Sequence, residues 1–113
     1  MWNIECYESQ AGKAPVAEFI DSLDAKSRAR IARTLDLLEE FGTNLGMPYA
    51  RHLEKQLWEL RIQQARNRYR IIYFLATGET FVLLHGFTKK TGPVPRGDIE
   101  IAQRRRDDYL SRR

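Results

Sequence analysis

The sequence predicts an α+β fold in which an N-terminal strand and a helical hairpin pack on an antiparallel β meander, with a helix at the C-terminus. Apolar residues recur at helical spacing between positions 15 and 42, form three strand-like stretches between 57 and 87, and return to helical spacing after position 95. A chain of 113 residues has the usual length of one domain, so we expect a single domain over residues 1–113.

The first predicted element is a short strand. Trp2, Ile4 and Cys6 alternate with Asn3 and Glu5, which is the period of a half-buried strand. Cys6 is the only cysteine, which excludes an internal disulfide. Its place in the strand predicts a buried, structural thiol.

Two amphipathic helices are predicted next, and we expect them to form a hairpin. Pro15 fits the first turn of a helix whose apolar face carries Val16, Phe19, Ile20 and Leu23. Asp24 can cap a second helix that ends at Gly42 and whose apolar stripe consists of Ile31, Leu35 and Leu38. The basic residues of this helix are predicted to face solvent: Arg28, Arg30 and Arg33.

The meander is predicted from three strands that follow one another closely. Residues 43–56 contain Gly46 and Pro48 and are predicted to be a connector, after which strands are expected over 57–62, 66–75 and 80–87. Counting back from the turn at Gly78 pairs Phe74 with Thr80 and places Arg70 opposite Leu84. A glycine- and proline-rich break then precedes the last helix, which has Asp98 near its start and apolar residues at Ile99, Ala102, Tyr109 and Leu110.

The two halves of the chain differ in charge. Residues 1–50 carry five basic and eight acidic side chains, whereas residues 51–113 carry fourteen basic and seven acidic ones. Clustered arginine suits the bidentate recognition of phosphate, so a polyanionic partner is the leading interpretation. The alternative is that the protein is simply basic and does not bind a nucleic acid. No apolar run approaches the roughly 20 residues of a membrane helix, and the N-terminus lacks the pattern of a secretory signal, so we expect a cytoplasmic protein.

Strand alternation predicts a row of arginines on one face of the sheet. Arg66, Arg68 and Arg70 share a face of the second meander strand, and an antiparallel register can bring Arg61 of the preceding strand beside them. Such a cluster is unfavourable unless something neutralises it, and RNA phosphates are the simplest candidate. The alternative is that Glu59 and other carboxylates neutralise the cluster within the protein.

Lys89 and Lys90 follow the last meander strand, near this row. A lysine among cations has a lowered pKa and can exchange protons near neutral pH, although a solvated strand end is the ordinary explanation for such a pair. His85 alternates with Leu83 and Phe87 and is predicted to be packed rather than catalytic. His52 has no ligand partner at a suitable spacing, so no metal site and no cofactor are expected.

Residues 57–109 contain four characteristic stretches in order: LWELR, RYRIIYF, LLHGFTKKT and, after the proline-rich break, IEIAQRRRDDY. Together they resemble the RelE/ParE superfamily of toxins from type II toxin–antitoxin systems, in particular its HigB-like, phage-derived branch. The first 50 residues match only in layout. The resemblance implies a small RelE-like domain with helices packed on an antiparallel sheet.

The resemblance also implies an activity and a set of site residues. The better-known members are metal-independent endoribonucleases that enter the ribosomal A site and cut mRNA. By motif, Arg70 matches the family's arginine in the middle strand, Arg61 the basic residue that closes the preceding strand, and Lys89 and Lys90 the basic pair after the last strand; Arg68 is a weaker match. RelE has two lysines where this chain has Leu57 and Glu59, and Tyr109 lies far along the last helix from the position of RelE's catalytic tyrosine.

These matches lead to a hypothesis for the roles. Arg61 and Arg70 hold the phosphate charge, Lys89 or Lys90 is the general acid, and Glu59 is a possible base. Arg66 and Arg68 are expected to bind RNA. The implied partners are a helix-turn-helix antitoxin of the HigA kind, the ribosome and mRNA. A ParE-like inhibitor of DNA gyrase and a non-catalytic nucleic-acid-binding module are the alternatives.

Overall fold

The computed structural model describes residues 1–112 and has an α+β architecture. Its elements, in chain order, are β1 (Asn3–Cys6), α1 (Pro15–Asp21), α2 (Ala25–Phe41), β2 (Ala50–Glu54), β3 (Leu57–Gln64), β4 (Asn67–Thr77), β5 (Thr80–Thr88) and α3 (Arg96–Ser111). A single 3₁₀ turn, Gly42–Asn44, follows α2. The predicted fold class is confirmed, including the N-terminal strand, the two helices, the meander and the C-terminal helix.

One five-stranded sheet organises the described residues, with the strand order β1-β5-β4-β3-β2. Strands β2 to β5 form an antiparallel meander, and β1 adds to the far edge in parallel with β5. The connector predicted over residues 43–56 therefore contains a strand, β2, that the sequence did not indicate. Its alternation is hidden because Arg51 and His52 are both exposed and only Ala50 is fully buried.

Helices cover both faces of the sheet. On one face α1 and α2 enclose a core that includes Ile31, Leu60 and Ile71, and on the other α3 covers a second core that includes Ile72 and Leu84. This arrangement explains the apolar run in the centre of β4, because a strand buried on both faces loses the apolar–polar alternation.

The predicted ends of α2 are confirmed. The Asp24 carboxylate accepts a hydrogen bond from the Ser27 amide (3.1 Å), and Gly42 ends the helix with a φ of +55°. The Trp2 indole packs so closely over Gly42 that a Cβ there would lie 1.9 Å from a ring carbon. Gly42 thus allows both the backbone reversal and the contact with the N-terminus.

The prediction of a buried thiol is wrong. Cys6 is exposed at the end of β1, and Tyr7, the next residue, is the one that enters the core. Tyr7 packs in the core on the α3 side of the sheet, and its hydroxyl donates a hydrogen bond to the Asp108 carboxylate of α3 (2.5 Å). Within residues 1–112, no helix combines the length and apolar character needed to cross a membrane.

Candidate functional site

The register of the central strands brings the predicted arginines together. In the β3–β4 pair, Arg61 lies opposite Arg70, and Gln63 lies opposite Arg68. Because paired residues and alternate residues of one strand share a face, Arg61, Arg68 and Arg70 project from the same side of the sheet. Arg66 differs from expectation, since it is exposed in the turn between β3 and β4 and is not part of the strand.

A buried carboxylate lies at the centre of this arginine group. Glu59 is completely buried, and its Oε2 atom is 2.9 Å from the Arg61 Nη1 and 3.1 Å from the Nε of Arg51, a residue of β2. Its Oε1 atom faces the Arg70 Nε at 3.4 Å. These contacts agree with the alternative given above, in which Glu59 neutralises part of the cluster. One carboxylate still faces three guanidinium groups, so positive charge is in excess.

Arg70 is the most constrained member of the group. It is 6% exposed, and its Nη1 donates a hydrogen bond to the carbonyl of Tyr69 (3.0 Å). Neither Arg70 Nε nor Glu59 Oε1 has a hydrogen-bond partner among the described residues. Burial, followed by the positive charge of Arg61, lowers the pKa of the Arg70 guanidinium, while Glu59 opposes the shift. The positive charge that Glu59 leaves uncompensated favours the binding of an anion at this face.

An open cleft of about 520 Å³ adjoins the arginines. Its cationic lining consists of Arg30, Arg61, Arg68 and Arg70. Its apolar wall is the segment before β2, formed by Met47, Pro48 and Tyr49. Arg30 was expected simply to face solvent, and Tyr49 and Arg51 were not predicted as site residues. The missing signal was β2, whose pairing with β3 brings this segment to the arginines.

The backbone of Lys89, the first lysine after β5, lies next to β4 and its arginines. The Lys89 amide donates to the carbonyl of Arg68 (2.6 Å), so Lys89 continues the β4–β5 pairing. Its ammonium group, however, turns to the loop and donates to the carbonyls of Lys90 and Gly92. Lys90 is exposed. Neither lysine lines the cleft in this conformation.

The predicted register between β4 and β5 is wrong by three residues. Arg70 pairs with Phe87 and not with Leu84, because the turn is tight enough to pair Thr77 with Thr80. Two irregularities follow in the ladder, with Ala76 as an extra residue on β4 and Leu84 as an extra residue on β5, so their effects cancel and Arg70 keeps the offset set at the turn. The lysines consequently begin two residues beyond the arginine row, nearer than predicted.

His85 is packed, as expected. Its Nε2 is 2.7 Å from the Asp98 carboxylate, its Nδ1 is 3.4 Å from the Arg105 Nη1, and its ring stacks on Phe87. Burial is the main cause that lowers the pKa of His85, and Asp98 opposes it. A neutral ring that donates from Nε2 satisfies both contacts, which leaves neither nitrogen for general base chemistry.

Three tyrosines of β4 and α3 are packed within the fold. Tyr69 and Tyr73 lie in the core under the helical hairpin, and burial raises the pKa of Tyr73 well above its ordinary value. Tyr109 packs edge-on against Phe74 and donates to the Glu5 carboxylate.

A family model described as Phage derived protein Gp49-like (DUF891) matches residues 18–107. The chain belongs to this family. The Gp49-like family is a family of RelE/HigB-like toxins, so membership is compatible with a toxin of a toxin–antitoxin system and with an antitoxin as its partner. The match includes the arginine face, the cleft and most of α3. A search of curated proteins found no match.

Proposed function

We propose that this protein is the toxin of a type II toxin–antitoxin system and acts as a metal-independent endoribonuclease that cuts mRNA on the ribosome. The observation that carries the proposal is the cluster of arginines held around one buried carboxylate beside an open cleft. Guanidinium groups fixed before the substrate arrives can stabilise charge that develops on a phosphate without reorganising. Membership of the Gp49-like family supports the toxin assignment.

The reaction consists of one displacement at phosphorus. The 2′ oxygen of a ribose forms a bond to the adjacent phosphorus, the bond to the 5′ oxygen breaks, and the products are a 2′,3′-cyclic phosphate and a 5′ hydroxyl. Arg61 and Arg70 neutralise the non-bridging oxygens, and Arg66 and Arg68 bind the RNA backbone further along, towards the turn between β3 and β4. The 2′ proton passes to solvent, and Lys89 or Lys90 protonates the leaving oxygen.

The surroundings of Glu59, Lys89 and Lys90 limit the roles that these residues can have. Glu59 is enclosed by guanidinium groups and inaccessible to a substrate hydroxyl, so we assign it to holding the arginines and not to proton abstraction. Lys89 must release its loop carbonyls to reach the leaving oxygen, whereas Lys90 is exposed. The ribosome would hold the codon in an attack geometry, which supplies much of the rate without a strong base.

The test is induction of single variants in cells followed by primer extension on mRNA. Arg61→Ala and Arg70→Ala should each lower cleavage about 100- to 1,000-fold, the usual cost of losing one group that stabilises a transition-state anion. Lys89→Ala and Lys90→Ala identify the proton donor. Arg33→Ala, an exposed change on α2 outside the cleft, should cut like the parent chain. Undiminished cleavage by both arginine variants contradicts the proposal, and DNA damage without mRNA cuts supports the gyrase inhibitor.

The proposed partner is a helix-turn-helix antitoxin of the HigA kind. Its attraction would come from the basic second half of the chain, because an acidic segment laid over residues 51–113 meets seven more basic than acidic side chains. Coexpression with a helix-turn-helix antitoxin of this kind, followed by copurification in low and high salt, tests this partner. A complex that survives in both but does not relieve growth arrest contradicts the assignment.

A further inference from the structure

A row of four paired residues crosses the sheet beside the cleft. The Arg61 amide donates to the Tyr49 carbonyl (2.8 Å), which places Tyr49 opposite Arg61 just before β2 begins. Arg61 pairs with Arg70, and Arg70 pairs with Phe87. Arg61 and Arg70 are therefore flanked by Tyr49 on one side and by Phe87 on the other, and the paired strand residues Arg61, Arg70 and Phe87 share one face of the sheet. We call these residues the aromatic–arginine row.

Tyr49 is the exposed aromatic end of this row. Its residue surface is 43% exposed, and the adjoining Met47 is 62% exposed, although both are large apolar side chains. Together with Pro48 they form a continuous wall of the cleft, whose remaining lining includes four arginines. An exposed apolar wall next to several cations is the combination that single-stranded nucleic acids require, since bases stack on aromatic groups while phosphates bind the charges.

We propose that Tyr49, with Met47 and Pro48, forms a nucleobase subsite for single-stranded RNA. The inference rests on the proposed function and deepens it by naming what binds next to the phosphate. Neighbouring strands are about 4.8 Å apart, so Tyr49 lies roughly one strand spacing from Arg61 and two from Arg70. A base attached to the nucleotide whose phosphate contacts these arginines can then reach the Tyr49 ring.

Arg30, a residue of α2, adds a further cation to the lining of the cleft. It projects from α2 into the same lining as Arg61 and Arg68, where a second phosphate of the strand would bind. Phe87 differs from Tyr49 because it is partly buried and stacked on His85, so the subsite is assigned to the Tyr49 end of the row. Stacking accepts any base, and the subsite therefore contributes affinity more than base selectivity.

The test compares two fluorescent single strands of deoxynucleotides, one with adenine at every position and one with abasic sites at the central positions. Both carry the same phosphates, so the difference in their affinities isolates the contribution of the bases. The parent protein should bind the adenine strand about tenfold more tightly by fluorescence anisotropy. Tyr49→Ala should abolish this preference, while Tyr49→Phe keeps it and Tyr49→Leu lowers it. Arg33→Ala, outside the cleft, should behave like the parent.

Each outcome bears on the subsite separately from the nuclease. The strands lack the 2′ hydroxyl, so binding is measured without cleavage. A preference that persists in Tyr49→Ala, or that is absent from the parent, overturns the subsite even if mRNA is cut in cells. A preference that depends on Tyr49 supports the subsite even if no mRNA is cut. If Tyr49→Ala weakens only the antitoxin complex, Tyr49 belongs to a protein interface and the subsite is overturned.

Discussion

Replacing Glu59 with glutamine probes how the arginine face is held together. Glutamine has nearly the same shape but removes the only negative charge that Arg51, Arg61 and Arg70 contact in the cluster. Arg51 and Arg61 have side chains that are 48% and 27% exposed, so they can turn to water, whereas the Arg70 side chain is 7% exposed and cannot. The cost therefore falls mainly on Arg70.

The structure allows the size of this cost to be estimated. Removing one partner of a buried ion pair costs about 3–5 kcal/mol, because the other charge stays buried without compensation. With two of the three guanidinium groups free to rehydrate, we expect Glu59→Gln to lose about 3 kcal/mol of unfolding free energy. For a urea m-value of about 2 kcal/mol/M, the unfolding midpoint falls by about 1.5 M.

Urea unfolding followed by far-UV circular dichroism measures this shift. Glu100→Gln is the control, since Glu100 is 57% exposed and 3.8 Å from Arg96, and its midpoint should stay close to that of the parent. Adding Arg70→Met to Glu59→Gln should recover part of the loss, because an apolar side chain leaves no buried charge. A Glu59→Gln midpoint equal to the parent's would refute the view that Glu59 holds Arg70 in place.

Two further predictions concern the N-terminal contact and the buried histidine. Gly42→Ala should lose about 1–3 kcal/mol of unfolding free energy, because the new Cβ meets Trp2 and the residue has a φ of +55°. Gly78→Ala is the control, since a Cβ there has open space around it and the unfolding free energy should change little. Equal urea midpoints for the two variants would contradict this prediction. The NMR titration midpoint of His85 should lie below its ordinary value of about 6.5, so its contribution to stability is present above that pH and lost as the pH falls towards the lowered pKa. Asp98→Asn should move this midpoint further down, and an upward move would contradict the assigned contact.

The elements that could be predicted from the sequence are those with strong local signals. Asp24 and Gly42 mark the ends of α2 because capping depends on the residues at a few neighbouring positions. The strand β2 has no such signal, because Arg51 and His52 are consecutive exposed polar residues that break the alternation. Its pairing with β3 depends on tertiary structure and not on local sequence. Arg51 and Tyr49 could not be predicted as site residues for the same reason, because the pairing of β2 with β3 is what brings them to the site.

The register of β5 shows a second limit. The face shared by Arg68 and Arg70 follows from alternation within one strand, and the structure has it. Their partner on β5 depends instead on the turn, which pairs Thr77 with Thr80, because the two ladder irregularities lie on opposite strands and cancel. Counting from a wider turn therefore places Leu84 where the structure has Phe87.

The burial of Glu59 bears on how the site could act. A carboxylate taken out of water among apolar neighbours such as Leu57 and Ile72 is costly, and a hydrophobic side chain there would often give an equally stable protein. What the carboxylate provides is geometry, because it draws Arg61 and Arg70 from neighbouring strands to one point before any ligand is present. Three guanidinium groups around one carboxylate leave an excess of positive charge at that point. Such a site suits catalysis, because it binds a phosphate most tightly when the negative charge of the phosphate increases in the transition state. Glu59 would then influence cleavage without touching RNA, and its substitution should lower the rate of the chemical step more than the affinity for the strand.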